Sequence, residues 1–222
     1  MKTKMRIDIV SDVVCPWCIV GFGGLRQALA EKQDDIEAEI HWLPFELNPQ
    51  MPEEGQHLGE HMREKYGSSA EESRINRQRI TERGAEVGFT FNFTEDQRMQ
   101  NTLKAHVLLH WAGKNDALDG SQTQMALKLA LFDAYFTDGK NINDKETLLA
   151  VGEQVGLDRE KAQEILADQQ MIAEVQSLEK QLHGAGIEAV PTFIFNQKYV
   201  ASGGHPAESF VQILDQVMTN AE

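Results

Sequence analysis

The chain has 222 residues, enough for one large domain or for two small ones sharing an interface. Hydrophobic residues at 41% and charged residues at 25% match ordinary globular usage, which excludes disordered, collagen-like and low-complexity chains. Twenty-one Lys+Arg against 35 Asp+Glu leave a net charge of −14, which repels phosphate backbones and argues against a nucleic-acid partner.

The first residues, Met-Lys-Thr-Lys-Met-Arg-Ile-Asp, are charged, but no apolar core of a signal peptide follows. No stretch approaches the roughly 18 consecutive apolar residues of a membrane span. The expectation is a protein without a membrane partner, placed in the reducing cytoplasm. Residues 5–10 alternate, Met5, Ile7 and Ile9 against Arg6, Asp8 and Val10, and this period of two predicts a strand. Pro16 followed by Ile19, Leu25 and Leu29 predicts a helix starting at Cys15 or Pro16. Gly21, Gly23 and Gly24 each weaken a helix by about 1 kcal/mol relative to Ala, so they need another reason, such as close packing or a bend. Residues 38–43 alternate again and stop at Pro44, giving a β-α-β unit with a right-handed crossover and a parallel strand pair.

A helical block follows over roughly 50–160, with no convincing strand pair. Ser68 or Ser69 with Glu71 or Glu72 predicts a capping box, and Thr94 with Gln97 predicts another, opening a helix through Leu103, Val107 and Leu108. Met125, Leu129, Phe132 and Phe136 share one helical face. Asn143 with Glu146, then Asp158, predict two more helix starts. Ile172, Val175, Leu178 and Leu182 line a long helix that stops at Gly184 and Gly186. Residues 192–201 read as a hairpin turning at Asn196-Gln197, and residues 206–218 as a last amphipathic helix. Arg74, Arg77, Arg79 and Arg83 read as a solvated helix face, and His57, His61 and His183 as surface or helix-face residues.

The only two cysteines lie three residues apart, in Cys15-Pro16-Trp17-Cys18, where the first predicted strand meets the first helix. Two cysteines cannot staple a secreted scaffold or make a Cys-only zinc site, and no metal-ligand spacing brings in His41 or His205. The pattern points to thiol chemistry. A thiolate is the nucleophile of disulfide exchange, and a helix N-terminus favours its negative charge. Cys18, one turn further in, is within reach to close or resolve a disulfide with Cys15. Pro16 stiffens the first turn, while Trp17 offers an aromatic face without charge. The expectation is a Cys15 pKa below that of a free thiol. Pro191, at the head of the predicted hairpin, reads either as a strand-initial proline or as a cis-proline beside the cysteines. In the second case Val190 supplies backbone for an extended substrate.

Four segments, Ser11-Asp-Val-Val-Cys-Pro-Trp-Cys, Trp42-Leu-Pro-Phe-Glu-Leu-Asn-Pro, Leu131-Phe-Asp-Ala-Tyr-Phe and Gly186-Ile-Glu-Ala-Val-Pro-Thr-Phe, resemble the DsbA-like thioredoxin-fold oxidoreductases in that family's order. The FrnE-like branch is the nearest. The resemblance implies an α/β thioredoxin-like fold with an inserted all-helical domain: residues 1–49 plus 161–222 for the first, 50–160 for the second. It implies Cys15 as the exposed nucleophile, Cys18 as the resolving thiol and Pro191 as the cis-proline. It implies no cofactor beyond the cysteine pair, a protein or small-molecule disulfide as substrate, and a low-molecular-weight thiol or thioredoxin-type electron partner. Two departures stand out: Trp17 occupies the place of the His common in periplasmic members, and no cysteine follows Cys18. Related glutathione-linked isomerases and transferases give an alternative, with glutathione as co-substrate and Asn101, near His106, as a substrate-binding residue. A non-enzymatic peptide-binding chaperone is the third reading.

Overall fold

The computed structural model describes residues 2–220. Strand β1 (Thr3–Ser11) leads into helix α1 (Pro16–Glu31), which returns to β2 (Ile36–Pro44). β1 and β2 pair in parallel, from Thr3 opposite Ile36 to Ser11 opposite Pro44. Near the C-terminus β5 (Thr192–Phe195) and β6 (Tyr199–Ser202) form a hairpin, and β5 pairs antiparallel with β1. The sheet order is β2-β1-β5-β6. Asn196 and Gln197 both adopt positive φ, 50° and 57°, as a two-residue hairpin turn of that hand requires. Asn196 suits the position because its Oδ1 also accepts the Arg6 backbone N–H at 3.0 Å.

β1 is an inner strand, paired on both edges, and from Ile7 onward both of its faces are covered. Met5, Ile7 and Ile9 join Leu25 and Ala28 of α1 in the main core, with Phe210 and Leu214 of α9 (Ala207–Thr219). Val10 faces the other way, onto Phe45, Leu182 and Ile187 beside α8 (Gln169–Gly184). The alternation at residues 5–10 therefore separates two buried faces rather than core from solvent; Asp8 and Val10 are both buried.

Between β2 and α8 lie α2 (Leu58–Tyr66), α3 (Ala70–Glu86), α4 (Leu103–Asp119), α5 (Thr123–Phe132), α6 (Lys145–Gln154) and α7 (Arg159–Ile165). This makes an α/β thioredoxin fold with a helical insertion. No helix among the described residues is long and apolar enough to cross a membrane. The Ser69–Glu72 capping box forms, with Ser69 Oγ accepting the Glu72 N–H and the Glu72 carboxylate accepting that of Ser69.

Three local expectations need correction. A short antiparallel pair, β3 (Gln56–His57) with β4 (Arg98–Met99), crosses the segment read as purely helical. It draws residues 94–97 into a turn, so Thr94 and Gln97 cap nothing and α4 begins only after Thr102. The next cap is Asp144 rather than Asn143, because Asp144 is the residue whose carboxylate accepts the Thr147 N–H. Finally, α5 passes into a π turn over Asp133–Thr137, closed by Asp138 N–H donating to Asp133 O at 2.9 Å. One extra residue in that turn moves Phe136 out of the unbroken-helix register expected for Met125, Leu129, Phe132 and Phe136.

The glycines of α1 are explained by close packing. A Cβ on Gly21 would lie 3.1 Å from both Pro191 Cγ and Phe193 Cζ, so Gly21 is what lets the Pro191 loop approach the helix. A Cβ on Gly24 would lie within contact-forbidden range of the His205 carbonyl oxygen, at 2.4 Å. Gly24→Ala therefore forces backbone apart. The clash outweighs the gain in helix propensity, and a net loss of about 1–3 kcal/mol is expected in urea unfolding.

Candidate active site

Cys15 is the N-cap of α1, with extended φ/ψ of −94° and 109°, and Pro16 opens the first turn. The turn is held by Cys15 N–H donating to Asp12 O at 3.2 Å and Cys18 N–H donating to Cys15 O at 3.1 Å. Both cysteines are free thiols. The Val190–Pro191 peptide bond is cis, and the Cys15 thiol lies 3.7 Å from the Val190 carbonyl oxygen, which it faces as donor. Residue 190 precedes the β1–β5 ladder, which begins with Thr192 opposite Val10. The chain thus brings Cys15, Pro16, Trp17, Cys18, Val190 and Pro191 to one place. The Trp17 ring carries the Arg79 guanidinium at 5.9 Å, and Arg77 reaches the same cleft, so two of the four arginines read as a solvated face turn toward this site.

Cys15 is 4% exposed, which corrects the expectation of an exposed thiol. Its access is through a chamber of about 460 Å³ between the start of α1 and the helical cap, walled by Leu58, Met62, Ile80, Phe93, Met99 and Phe136. A larger surface hollow, about 610 Å³, lies along β2 and α4 and contains neither cysteine. Asn101 does not line the chamber. Its amide is spent locally, Nδ2 donating to Met51 O at 2.9 Å and Oδ1 accepting the Leu103 N–H at 3.1 Å.

Cys18 is fully buried, over a set of charged groups that the sequence reading did not single out. Lys128, 1% exposed, reaches in from α5 to 3.5 Å from the Ser11 carbonyl oxygen and sits 5.1 Å and 4.9 Å from the ring centres of Trp42 and Phe132. Burial lowers its pKa to about 8, against the attraction of Cys18 and Asp12. Asp12, also buried, accepts the Leu47 N–H at 2.7 Å and lies 3.3 Å from His106 Nε2. Below them Glu46 is pushed up to about 8, first by burial and then by the charges of Glu179 and Asp12.

These groups reverse the expected order of ionisation in the reduced, unliganded pair. Cys15 is held well above the usual thiol value. Its contact with the Cys18 sulfur is the first cause, burial the next, and the neighbouring negative charges add to it. Cys18 is lowered: burial opposes its ionisation, but the Cys15 thiol, the Lys128 charge, the Ser11 hydroxyl and the Asp12 backbone together overcome it. Ionisation is thus favoured at the inner sulfur over the outer one. A signal for Lys128 was present in the sequence, as one cation inside the otherwise apolar run from Met125 to Phe132.

The fold and the paired thiols are those of a thiol oxidoreductase of the thioredoxin class. The chain belongs to the DSBA-like thioredoxin domain family, which matches residues 6–215. It is 31% identical to the probable DsbA oxidoreductase SCO1869 from Streptomyces coelicolor, with a TM-score of 0.86 over 97% of this chain and 90% of that one. It is 25% identical over 197 residues to the uncharacterized protein YwbO of Bacillus subtilis (strain 168), covering 88% of this chain and 89% of the relative. The fold is shared with the cytosolic disulfide reductase DsbM from Pseudomonas aeruginosa, solved with GSH. There the identity is 18%, the TM-score 0.56 and the coverage 96% of this chain and 99% of that one.

Proposed function

We propose that the protein exchanges disulfides through Cys15 and Cys18, with net reduction of a protein or small-molecule disulfide in the cytoplasm. The observation that carries this reading is the placement of the two sulfurs: Cys15 on the floor of the chamber, facing the Val190 carbonyl, and Cys18 behind it over Lys128.

When a substrate disulfide enters the chamber, the Cys15 thiol gives up its proton to water. The Cys15 thiolate then attacks the nearer substrate sulfur. The substrate S–S bond breaks, its far sulfur leaves as a thiolate, and Cys15 holds the near half as a mixed disulfide. Cys18 then gives up its own proton, with the Lys128 charge favouring its thiolate. It attacks Cys15 Sγ and releases the second half as a thiolate. The substrate gains two electrons, the Cys15–Cys18 pair loses two, and the departing thiolates take up two protons. A low-molecular-weight thiol such as glutathione, or a thioredoxin-type partner, restores the dithiol by the reverse sequence. Val190 contributes its carbonyl to the position of the attacking sulfur; Pro16, Trp17 and Pro191 fix its surroundings.

A trapping experiment tests the order of these steps. Cys18→Ala leaves the first attack intact and removes the second. After incubation with oxidised glutathione the variant is expected to carry one glutathione on Cys15 by intact-mass measurement, while the parent accumulates the internal disulfide. A Cys18→Ala protein that stays unmodified contradicts the assignment of Cys15 as nucleophile.

A further inference from the structure

Building on the disulfide-exchange reading, we propose that the chamber beside Cys15 selects a compact apolar disulfide carrying a neutral hydrogen-bond donor, which His61 or Gln97 receives. The sequence places His61 on a surface or a helix face, and in the structure it lies on α2. It is 6% exposed and faces the chamber, as does Gln97 at 8%. His61 Nε2 and Gln97 Oε1 are both buried without a hydrogen-bond partner. Buried polar atoms are nearly always paired, and an orphan is costly, so two in one apolar chamber mark where a ligand group belongs.

The surrounding bonds decide what kind of group. Gln56 Nε2 donates to the Glu64 carboxylate at 2.6 Å, which orients its amide. Gln56 Oε1 is then the acceptor that lies 2.9 Å from His61 Nδ1. The proton of the imidazole therefore resides on Nδ1, and Nε2 presents a bare lone pair. Burial, then the charge of Lys65, lowers the His61 pKa, so the ring stays neutral. Gln97 Oε1 is likewise an acceptor. Both need a donor from the ligand.

Arg77 lines the same chamber and disfavours an ammonium there, which leaves a hydroxyl or an amide N–H. Asn48, Ser73 and Asn76 also reach the lining, but Leu58, Met62, Ile80, Phe93, Met99 and Phe136 make most of the wall and ask for an apolar body. A volume of about 460 Å³ falls in the range of small-molecule sites. The S–S bond of such a substrate lies at the Cys15 end of the chamber, and the chemistry is the two-step exchange described above.

Two matched substrates test this: mixed disulfides of 2-mercaptoethanol with 4-hydroxythiophenol and with 4-methylthiophenol. The methyl group fills the place of the hydroxyl without donating. Reduction is followed with dithiothreitol as reductant, and each kcat/KM is divided by the uncatalysed rate for the same compound. The parent is expected to favour the hydroxyl compound by about tenfold, as a site built around a donor rejects the analogue that lacks it. Whichever of His61→Phe and Gln97→Leu removes the acceptor of that hydroxyl is expected to bring the ratio to within about twofold of unity. A purely structural role would slow both compounds alike and leave the ratio unchanged. A ratio near one in the parent, or one that survives in both variants, overturns the proposal. Cys15→Ser separates this from the reading beneath it. If the parent reduces both compounds equally and Cys15→Ser reduces neither, only the chamber assignment falls. If Cys15→Ser turns over both like the parent, disulfide exchange itself falls.

Discussion

Cys15→Ser is expected to lower the rate of insulin or small-disulfide reduction by at least about a thousandfold, because a hydroxyl is protonated where a thiolate is required and is a poor nucleophile toward sulfur. The fold should survive. Serine is smaller than cysteine by little, and the position makes no side-chain capping bond that the change would break. Unfolding free energies of the reduced proteins in urea should agree within about 1 kcal/mol. Cys18→Ala should instead retain the first half-reaction. The two variants therefore differ in kind: one takes up no substrate half, the other takes it up and keeps it. Equal residual turnover in both would mean that neither sulfur is chemically distinct, against the geometry that puts only Cys15 on the chamber wall.

Lys128→Met is expected to move the onset of thiolate formation upward. The lysine charge is among the groups that lower Cys18, and methionine fills a similar volume without it. Followed by iodoacetamide alkylation against pH, the midpoint should rise by about one unit, which corresponds to about 1.4 kcal/mol of lost thiolate stabilisation. A structural perturbation alone would slow alkylation without moving the midpoint. Stability gives a second signature with its own sign. The folded-state pKa of Lys128 is about 8 against an ordinary 10.5. Between those values the unfolded chain holds more protons than the native one, so the lysine's contribution to stability rises with pH there and is lost as pH falls through 8. In the disulfide form, where the thiols no longer titrate, Lys128→Met should lack that rise. An unchanged alkylation midpoint together with an unchanged pH slope would remove Lys128 from the account of the inner sulfur.

The parts of the fold that were legible were those whose signals are local. Alternation marked β1 and β2, Pro16 marked the start of α1, and Ser69 with Glu72 marked that of α3, because each depends on residues within a turn or a strand of one another. The four motifs of the family were enough to place Cys15, Cys18 and Pro191 in one site. What could not be read depends on distant chain. Thr94 and Gln97 have the spacing of a cap, but pairing of β4 with β3, more than forty residues earlier, decides their conformation. His61 looks like any helix histidine until the chamber closes over it. The expected Cys15 pKa followed from the helix terminus alone. It failed because Cys15 is buried against the Cys18 sulfur, while Ser11 and Asp12 from one segment and Lys128 from another lie around the inner sulfur and favour ionisation there instead.

Gln124 shows the same dependence in the backbone. Its amide accepts the Trp42 N–H at 3.0 Å and donates to Trp42 O at 3.0 Å, so that a side chain from α5 completes the exposed edge of β2 as a neighbouring strand would. In sequence it is one glutamine at the start of a helix. In the structure it ties the insertion to the sheet and holds β2 beside the helix that delivers Lys128.

The most direct test is an equilibrium titration of the pair in glutathione redox buffers, read by mass after alkylation. The account predicts one cooperative two-electron transition in which both alkylatable thiols disappear together and the protein becomes 2 Da lighter, at a potential between those of strong reductants and strong oxidants, roughly −270 to −120 mV. Two thiols that remain alkylatable throughout that range, or a chain that accumulates only glutathione adducts without closing the internal bond, would contradict it.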